Sequence, residues 1–122
     1  MPKTKRALVI EDNDNNMELI SFILSASGYE VLKAENGLAG VLLARDQLPD
    51  FILLDIQLPD ISGDDVIARI RADEKTKVIP VIAMTSYSMT GDRERLLQAG
   101  CDGYIEKPIN PSRVVEQIES VI

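Results

Sequence analysis

Phe51-Ile52-Leu53-Leu54-Asp55-Ile56-Gln57-Leu58-Pro59-Asp60-Ile61-Ser62-Gly63 is the stretch that decides the fold. Four apolar residues run straight into a carboxylate, Asp55. A short apolar run bounded by turn signals, Pro49-Asp50 before it and Pro59-Asp60 after it, reads as a strand buried on both faces of a parallel sheet. Its charged residue comes where the strand ends. In open α/β sheets the carboxyl ends of the strands are where ligands sit. Asp55 is therefore either a loop or helix-capping residue, or a nucleophile or metal ligand. The choice turns on what other strands deliver to the same edge.

The neighbouring segments repeat that grammar. After a polar, basic lead-in from Met1 to Lys5, Arg6-Ala7-Leu8-Val9-Ile10 is a strand ending in Glu11-Asp12. Asn13-Asp14-Asn15-Asn16 supplies turn and capping chemistry. A helix follows, with Leu19, Ile20, Ile23 and Leu24 on one face and Gly28 as its stop. Glu30 to Ala34 is a shorter strand. Asn36 caps a helix to about Asp46 that carries Leu38, Val41 and Leu42 inward, and Gly40 weakens it by about 1 kcal/mol relative to alanine. A third helix begins near Gly63 and runs to about Asp73, with Val66, Ile67 and Ile70 inward. Pro80 to Thr85 is the fourth strand, Thr90 to Ala99 the fourth helix, and Gly103 to Lys107 the fifth strand. Asn110-Pro111 reads as an N-cap followed by proline at the first helical position. The last helix buries Val114, Val115, Ile118, Val121 and Ile122.

Strict alternation of strands and helices predicts an α/β fold with helices on both faces of a parallel sheet. The expected architecture is one three-layer, flavodoxin-like domain over residues 1–122, with five strands in the order 2-1-3-4-5. The switch point then lies between the first and third strands. Glu11, Asp12 and Asp55 meet there, and Thr85 and Lys107 line the same edge. No repeat, linker or low-complexity segment interrupts the pattern.

Composition narrows the chemistry. The 122 residues are enough for a real core. Thirteen basic against twenty acidic residues give a net charge of -7, which does not suit the phosphate backbone of nucleic acid. No apolar run approaches the ~20 residues of a membrane span. One cysteine, Cys101, makes no internal disulfide, so a reducing, cytoplasmic setting is expected. There is no histidine, which removes Ser-His and Cys-His catalysis and most zinc sites. Carboxylates, hydroxyls, lysine and a hard metal ion remain.

Three clustered carboxylates repel unless a cation joins them. An oxygen-only donor set suits Mg²⁺. Asp12 and Asp55 are the expected direct ligands, with Glu11 acting through metal-bound water and the Gln57 backbone carbonyl as a candidate third protein ligand. A carboxylate can attack phosphorus to form an aspartyl-phosphate, and catalysis of that transfer is largely positioning and charge neutralisation. Lys107 offers a positive point charge, and Thr85 and Ser86 offer hydrogen bonds to phosphoryl oxygens. A phosphohistidine donor has to be on another molecule. Singly, Asp12 could be a helix cap, Lys107 a solvated lysine, Thr85 a loop cap and Tyr104 a strand aromatic. Their convergence on one edge favours the site.

Glu11-Asp12, Asp55 with Leu58-Pro59-Asp60-Ile61-Ser62-Gly63, Thr85-Ser86 and Lys107-Pro108 together resemble a bacterial two-component response regulator receiver domain of the CheY-like superfamily. The likeness spans essentially the whole chain. It is nearest to single-domain regulators of the DivK type around Ile10-Glu11-Asp12-Asn13, Asp55-Ile56-Gln57-Leu58-Pro59 and Glu106-Lys107-Pro108-Ile109. The resemblance implies that Asp55 is the phosphoacceptor, charged by a histidine kinase or histidine phosphotransfer protein. It implies that Thr85 moves toward the phosphoryl group and Tyr104 rotates inward. A downstream protein target would then bind the face of helix four, strand five and helix five. It also implies a cis peptide at Lys107-Pro108.

Further expectations follow from single positions. Gln57 and Tyr87, each two residues past a site residue, could shield the acyl phosphate from water. Phe22 with Met17 is either scattered apolar surface or a docking patch for a kinase or phosphotransfer helix. Ser88-Met89-Thr90-Gly91-Asp92 opens helix four weakly, as a two-state element requires. Asp60 and Gly63 read as structural, and Cys101 as a small, partly buried, unreactive thiol. Three competing functions stand behind the signalling switch. A dedicated aspartyl phosphatase lacks the acid usually found two residues after the nucleophile, where Gln57 stands. A flavodoxin-like cofactor binder lacks a glycine in the Glu11–Asn16 loop. The third is a receiver domain belonging to a larger hybrid kinase or regulator.

Overall fold

The computed structural model describes residues 4–86 and 92–122. Along the chain run β1 (Arg6–Ile10), α1 (Asp14–Ala26), β2 (Glu30–Ala34), α2 (Gly37–Gln47), β3 (Phe51–Asp55), α3 (Gly63–Ala72), β4 (Val81–Thr85), α4 (Asp92–Ala99), β5 (Gly103–Glu106) and α5 (Val114–Glu119). The strands form one parallel sheet in the order β2-β1-β3-β4-β5, as the alternation predicts. Strand residues alternate between the two faces. Leu8, Ile10, Ile52 and Leu54 face α2, α3 and α4, where Ala44, Val66, Ile67, Ile70 and Leu96 complete one core layer. Ala7, Val9, Phe51 and Leu53 face the other way, against Met17, Ile20 and Leu24 of α1 and Val114 and Ile118 of α5. All of β3 is buried, which explains why its sequence is continuously apolar.

The helices start where the sequence places capping groups. Asn13 accepts a hydrogen bond from Asn16 N–H, Asn36 from Ala39 N–H, and Ser62 from Asp65 N–H. Two helix faces differ from expectation. In α1 the buried stripe is Met17, Ile20, Ser21 and Leu24, and Leu19 is exposed. In α2 the buried positions are Gly37, Gly40 and Ala44, while Leu38 and Leu42 point to solvent. Small residues there let the helix backbone sit close to the sheet and to Ile61, and the large side chains are turned outward. Ile122, expected inside, is also exposed. The fifth strand ends at Glu106, so Lys107 opens the following loop. Asn110 Oδ1 accepts from Ser112 N–H, but it caps a turn that precedes α5, which starts only at Val114. The expected Tyr87 shield and the start of helix four at Ser88 to Gly91 lie outside the described residues.

Candidate functional site

Parallel register decides which side chains meet. Ile10 pairs with Leu54, Asp55 with Met84, and Thr85 with Glu106, so β1, β3, β4 and β5 end together. The chain continues that alignment past the strand ends. Glu11 N–H donates to Ala34 O at 3.0 Å, Ile56 N–H to Met84 O at 3.1 Å, and Lys107 N–H to Thr85 O at 2.8 Å. Glu11, Asp12 and Asp55 each bring a carboxylate oxygen within 4.8 Å of one another. Glu11 and Asp55 are buried and Asp12 is exposed, so the cluster is closed on one side and open to solvent on the other.

Among the described residues, Lys107 is the cation of this edge. Its Nζ lies 3.0 and 3.2 Å from the two Glu11 carboxylate oxygens and 3.2 Å from Asp55 Oδ2. Three carboxylates against one ammonium leave a formal charge of about −2, the charge that one divalent cation offsets. Burial and the neighbouring Asp55 carboxyl push Glu11 from 4.5 up to about 7, against the opposing pull of Asn16 and Lys107. The three-carboxylate, oxygen-only donor set fits a hard divalent ion.

Asp55 is also held from behind, since Gln57 N–H donates to its Oδ1 at 3.0 Å. Gly63 keeps this loop tight. Its N–H donates to Ile56 O at 3.1 Å, and a Cβ at this position would lie 2.7 Å from Ile56 Cα. Thr85 is buried at the tip of β4, and Ser86 follows it, exposed. Ser86, Lys107, Pro108, Ile109, Asn16 and Leu19 line a cavity of about 260 Å³ beside the acidic cluster. The Lys107-Pro108 peptide is cis. Tyr104 is half-buried on β5, paired in register with Ala83. Phe22 stands exposed on α1, while Met17 is buried in the core, so of the two readings given for this pair the docking patch loses Met17. Met17 lies on the stripe that α1 turns toward the sheet, at helical spacing from Ile20, Ser21 and Leu24.

Two side chains have partners that the sequence reading does not name, Asp60 in keeping with the structural role expected of it. Asn16, taken only as turn chemistry, donates its Nδ2 hydrogen to Glu11 Oε1 at 2.8 Å. Asp60, five residues beyond Asp55, accepts Gly37 N–H at 2.8 Å and Leu38 N–H at 2.9 Å. Those backbone bonds, Leu38 first, hold its carboxyl below the usual range and tie the Asp55 loop to the start of α2. The spacing of Asn16 on the first helical turn after Glu11 is a usable signal. Asp60 has none, because its partners are 23 and 22 residues away in sequence.

Comparison with known proteins adds kinship to this geometry. The response regulator receiver domain family matches residues 7–119. The chain is 46% identical to the polar-differentiation response regulator DivK of Brucella ovis, over 98% of this chain and 97% of that protein. It is 34% identical to the receiver domain of a sensor histidine kinase from Pseudomonas aeruginosa PAO1, a structure with a magnesium ion coordinated in the active-site cleft. That likeness has a TM-score of 0.89 and covers 98% of both chains. The chemotaxis protein CheY4 of Vibrio cholerae shares the fold, with a TM-score of 0.93 at 22% identity over 98% of this chain and 100% of that one.

Proposed function

Because this chain belongs to the response regulator receiver domain family, we propose that it is a two-component signalling switch whose phosphoacceptor is Asp55. The observation that carries the assignment is the convergence of Glu11, Asp12, Asp55 and Lys107 on one sheet edge. Asp12 and Asp55 would hold Mg²⁺ directly and Glu11 through water, with the Gln57 carbonyl as the further protein ligand. When bound, that ion offsets the charge gathering on the transferred phosphoryl group.

An Asp55 carboxylate oxygen attacks the phosphorus of a phosphohistidine on a histidine kinase or histidine phosphotransfer protein. The oxygen–phosphorus bond forms, the phosphorus–nitrogen bond breaks, and the imidazole leaves with its electron pair. Lys107 Nζ, already 3.2 Å from Asp55 Oδ2, follows the negative charge onto the phosphoryl group. Thr85 and Ser86 donate hydrogen bonds to its oxygens. Tyr104 turns inward as Thr85 shifts, and a protein target reads the new face of α4, β5 and α5. Slow attack of water on the acyl phosphate returns inorganic phosphate and resets Asp55. This is a switch and not an enzyme with steady turnover.

The net charge of -7 supports protein partners over nucleic acid. Among the described residues no helix is long and apolar enough to cross a membrane. We place the switch in the cytoplasm as one receiver domain. The likeness to a sensor kinase's receiver supports a second reading, a receiver unit within a hybrid kinase or larger regulator, which the intact mass of the native protein decides.

The test is intact mass after incubation with Mg²⁺ and acetyl phosphate. The parent gains one phosphoryl group only when Mg²⁺ is present, and Asp55→Asn gains none. Equal labelling of Asp55→Asn would remove Asp55 from the role.

A further inference from the structure

Glu11 is the most buried of the three clustered carboxylates, and Asn16 is bonded to it. The backbone of Asn16 is fixed, because its N–H donates to Asn13 Oδ1 at 3.0 Å, the bond that starts α1. Any residue but proline would supply that N–H. The side-chain amide does something separate, since its Nδ2 reaches Glu11 Oε1 at 2.8 Å. The same oxygen accepts from Lys107 Nζ at 3.0 Å, and Lys107 also lies 3.2 Å from Asp55 Oδ2.

One ammonium therefore serves two carboxylates. A phosphoryl group on Asp55 adds negative charge within reach of that ammonium, and lysine has three donors on a flexible stem. Lys107 turns toward the new charge, and its bonds to Glu11 lengthen. The Asn16 amide is neutral and its backbone is held by the helix cap, so a new negative charge pulls on it far less than on the Lys107 ammonium. It still holds Glu11 when Lys107 leaves.

We propose that Asn16 is a positioning residue, whose side-chain amide holds the Glu11 carboxylate beside Asp55 so that the cation position keeps its shape while Lys107 turns to the phosphoryl group. Asn16 acts through Glu11 and not on the reacting atoms. The inference rests on the metal reading of the acidic cluster made under the proposed function. It goes beyond that reading by giving a role to a residue outside the carboxylate set.

Calorimetric titration with Mg²⁺ alone tests it, on the parent, Asn16→Leu and Asn16→Ala. Leucine keeps the branched outline and loses the donor, and Asn16 borders the cavity of about 260 Å³, which leaves room for the larger side chain. Both variants raise the Mg²⁺ Kd about tenfold, the scale of one hydrogen bond to a charged group behind a metal site. The Mg²⁺ needed for half-maximal labelling by acetyl phosphate rises by the same factor, and the metal-free variants remain folded. A Kd equal to the parent's in both variants overturns the proposal. Loss in Asn16→Ala that Asn16→Leu restores also overturns it, because the effect is then one of packing. A parent that binds no Mg²⁺ overturns the metal reading of the cluster itself, and this inference with it.

Discussion

A carboxyl that is only 1% exposed, with Asp55 beside it, keeps its proton far longer than glutamate does in water. For Glu11 the ordinary value of 4.5 rises to about 7, burial being the largest cause. The direction fixes a pH dependence. Between those two values the folded state binds more proton than the unfolded chain, so metal-free stability falls as pH rises through the window. Stability from this group is fully present below 4.5 and lost as pH passes about 7. The loss is on the order of 3 kcal/mol if Glu11 keeps the whole shift. Urea unfolding in EDTA at several pH values checks it. The account expects a declining stability that Glu11→Gln flattens, and a rising one contradicts it. On the proposed metal reading, Mg²⁺ favours the ionised carboxyl over the protonated one, so its affinity is expected to increase over the same window. Asp60 has the opposite sign. Its value is lowered, so its contribution is present above 3.8 and disappears only in acid, outside this range.

At the scale of elements, α3 is the part that fastens the far end of the sheet. Arg71 in its last turn gives Nε to Gly100 O at 2.9 Å and Nη1 to Lys77 O at 2.9 Å and Ile79 O at 2.7 Å. Its Nη2 meets Asp102 Oδ2 at 2.7 Å, and that oxygen also accepts Val81 N–H at 2.9 Å. One guanidinium thus joins the loops that enter β4 and β5. At the other end Arg95 pairs with Asp64, tying α4 to the first turn of α3. Arg71→Lys keeps the charge but loses the planar fork, so it costs about 2 kcal/mol in urea unfolding and raises amide exchange at Gly100 to Asp102. A change under 0.5 kcal/mol, the size of a neutral surface substitution, would reject the clamp.

The same elements show what is legible in sequence and why. β3 declares itself because an unbroken apolar run can only be buried on both faces. The start of α2 is read correctly from Asn36, since a cap is a local bond. Its face is misread because the surface packed on the sheet is made of Gly37, Gly40 and Ala44, and hydrophobic periodicity has little to register in such residues. The stripe of α1 is off by about one position for a related reason. Met17 and Ser21 carry weaker signals than Leu19 and Ile23 beside them.

For the molecule as a whole, strand order does most of the work. A parallel sheet in the order β2-β1-β3-β4-β5 puts every strand's carboxyl end on one edge, and four of those ends carry Glu11-Asp12, Asp55, Thr85 and Lys107. That is why the residues that meet at this edge could be named from strand ends once alternation had given the topology. What stayed hidden is pairing between distant side chains, such as Lys107 bridging Glu11 and Asp55, and Asp60 reaching back to α2. Such pairs are set by three-dimensional approach and leave no periodic trace. The central claim is that this edge makes an acyl phosphate on a single carboxylate. Borohydride reduces an acyl phosphate to an alcohol, which converts the modified aspartate to homoserine. After Mg²⁺ and acetyl phosphate, peptide sequencing of the reduced protein should find homoserine at position 55 and nowhere else. Reduction at Glu11 or Asp12 instead, or phosphate that survives as a stable ester on a hydroxyl, would contradict the account.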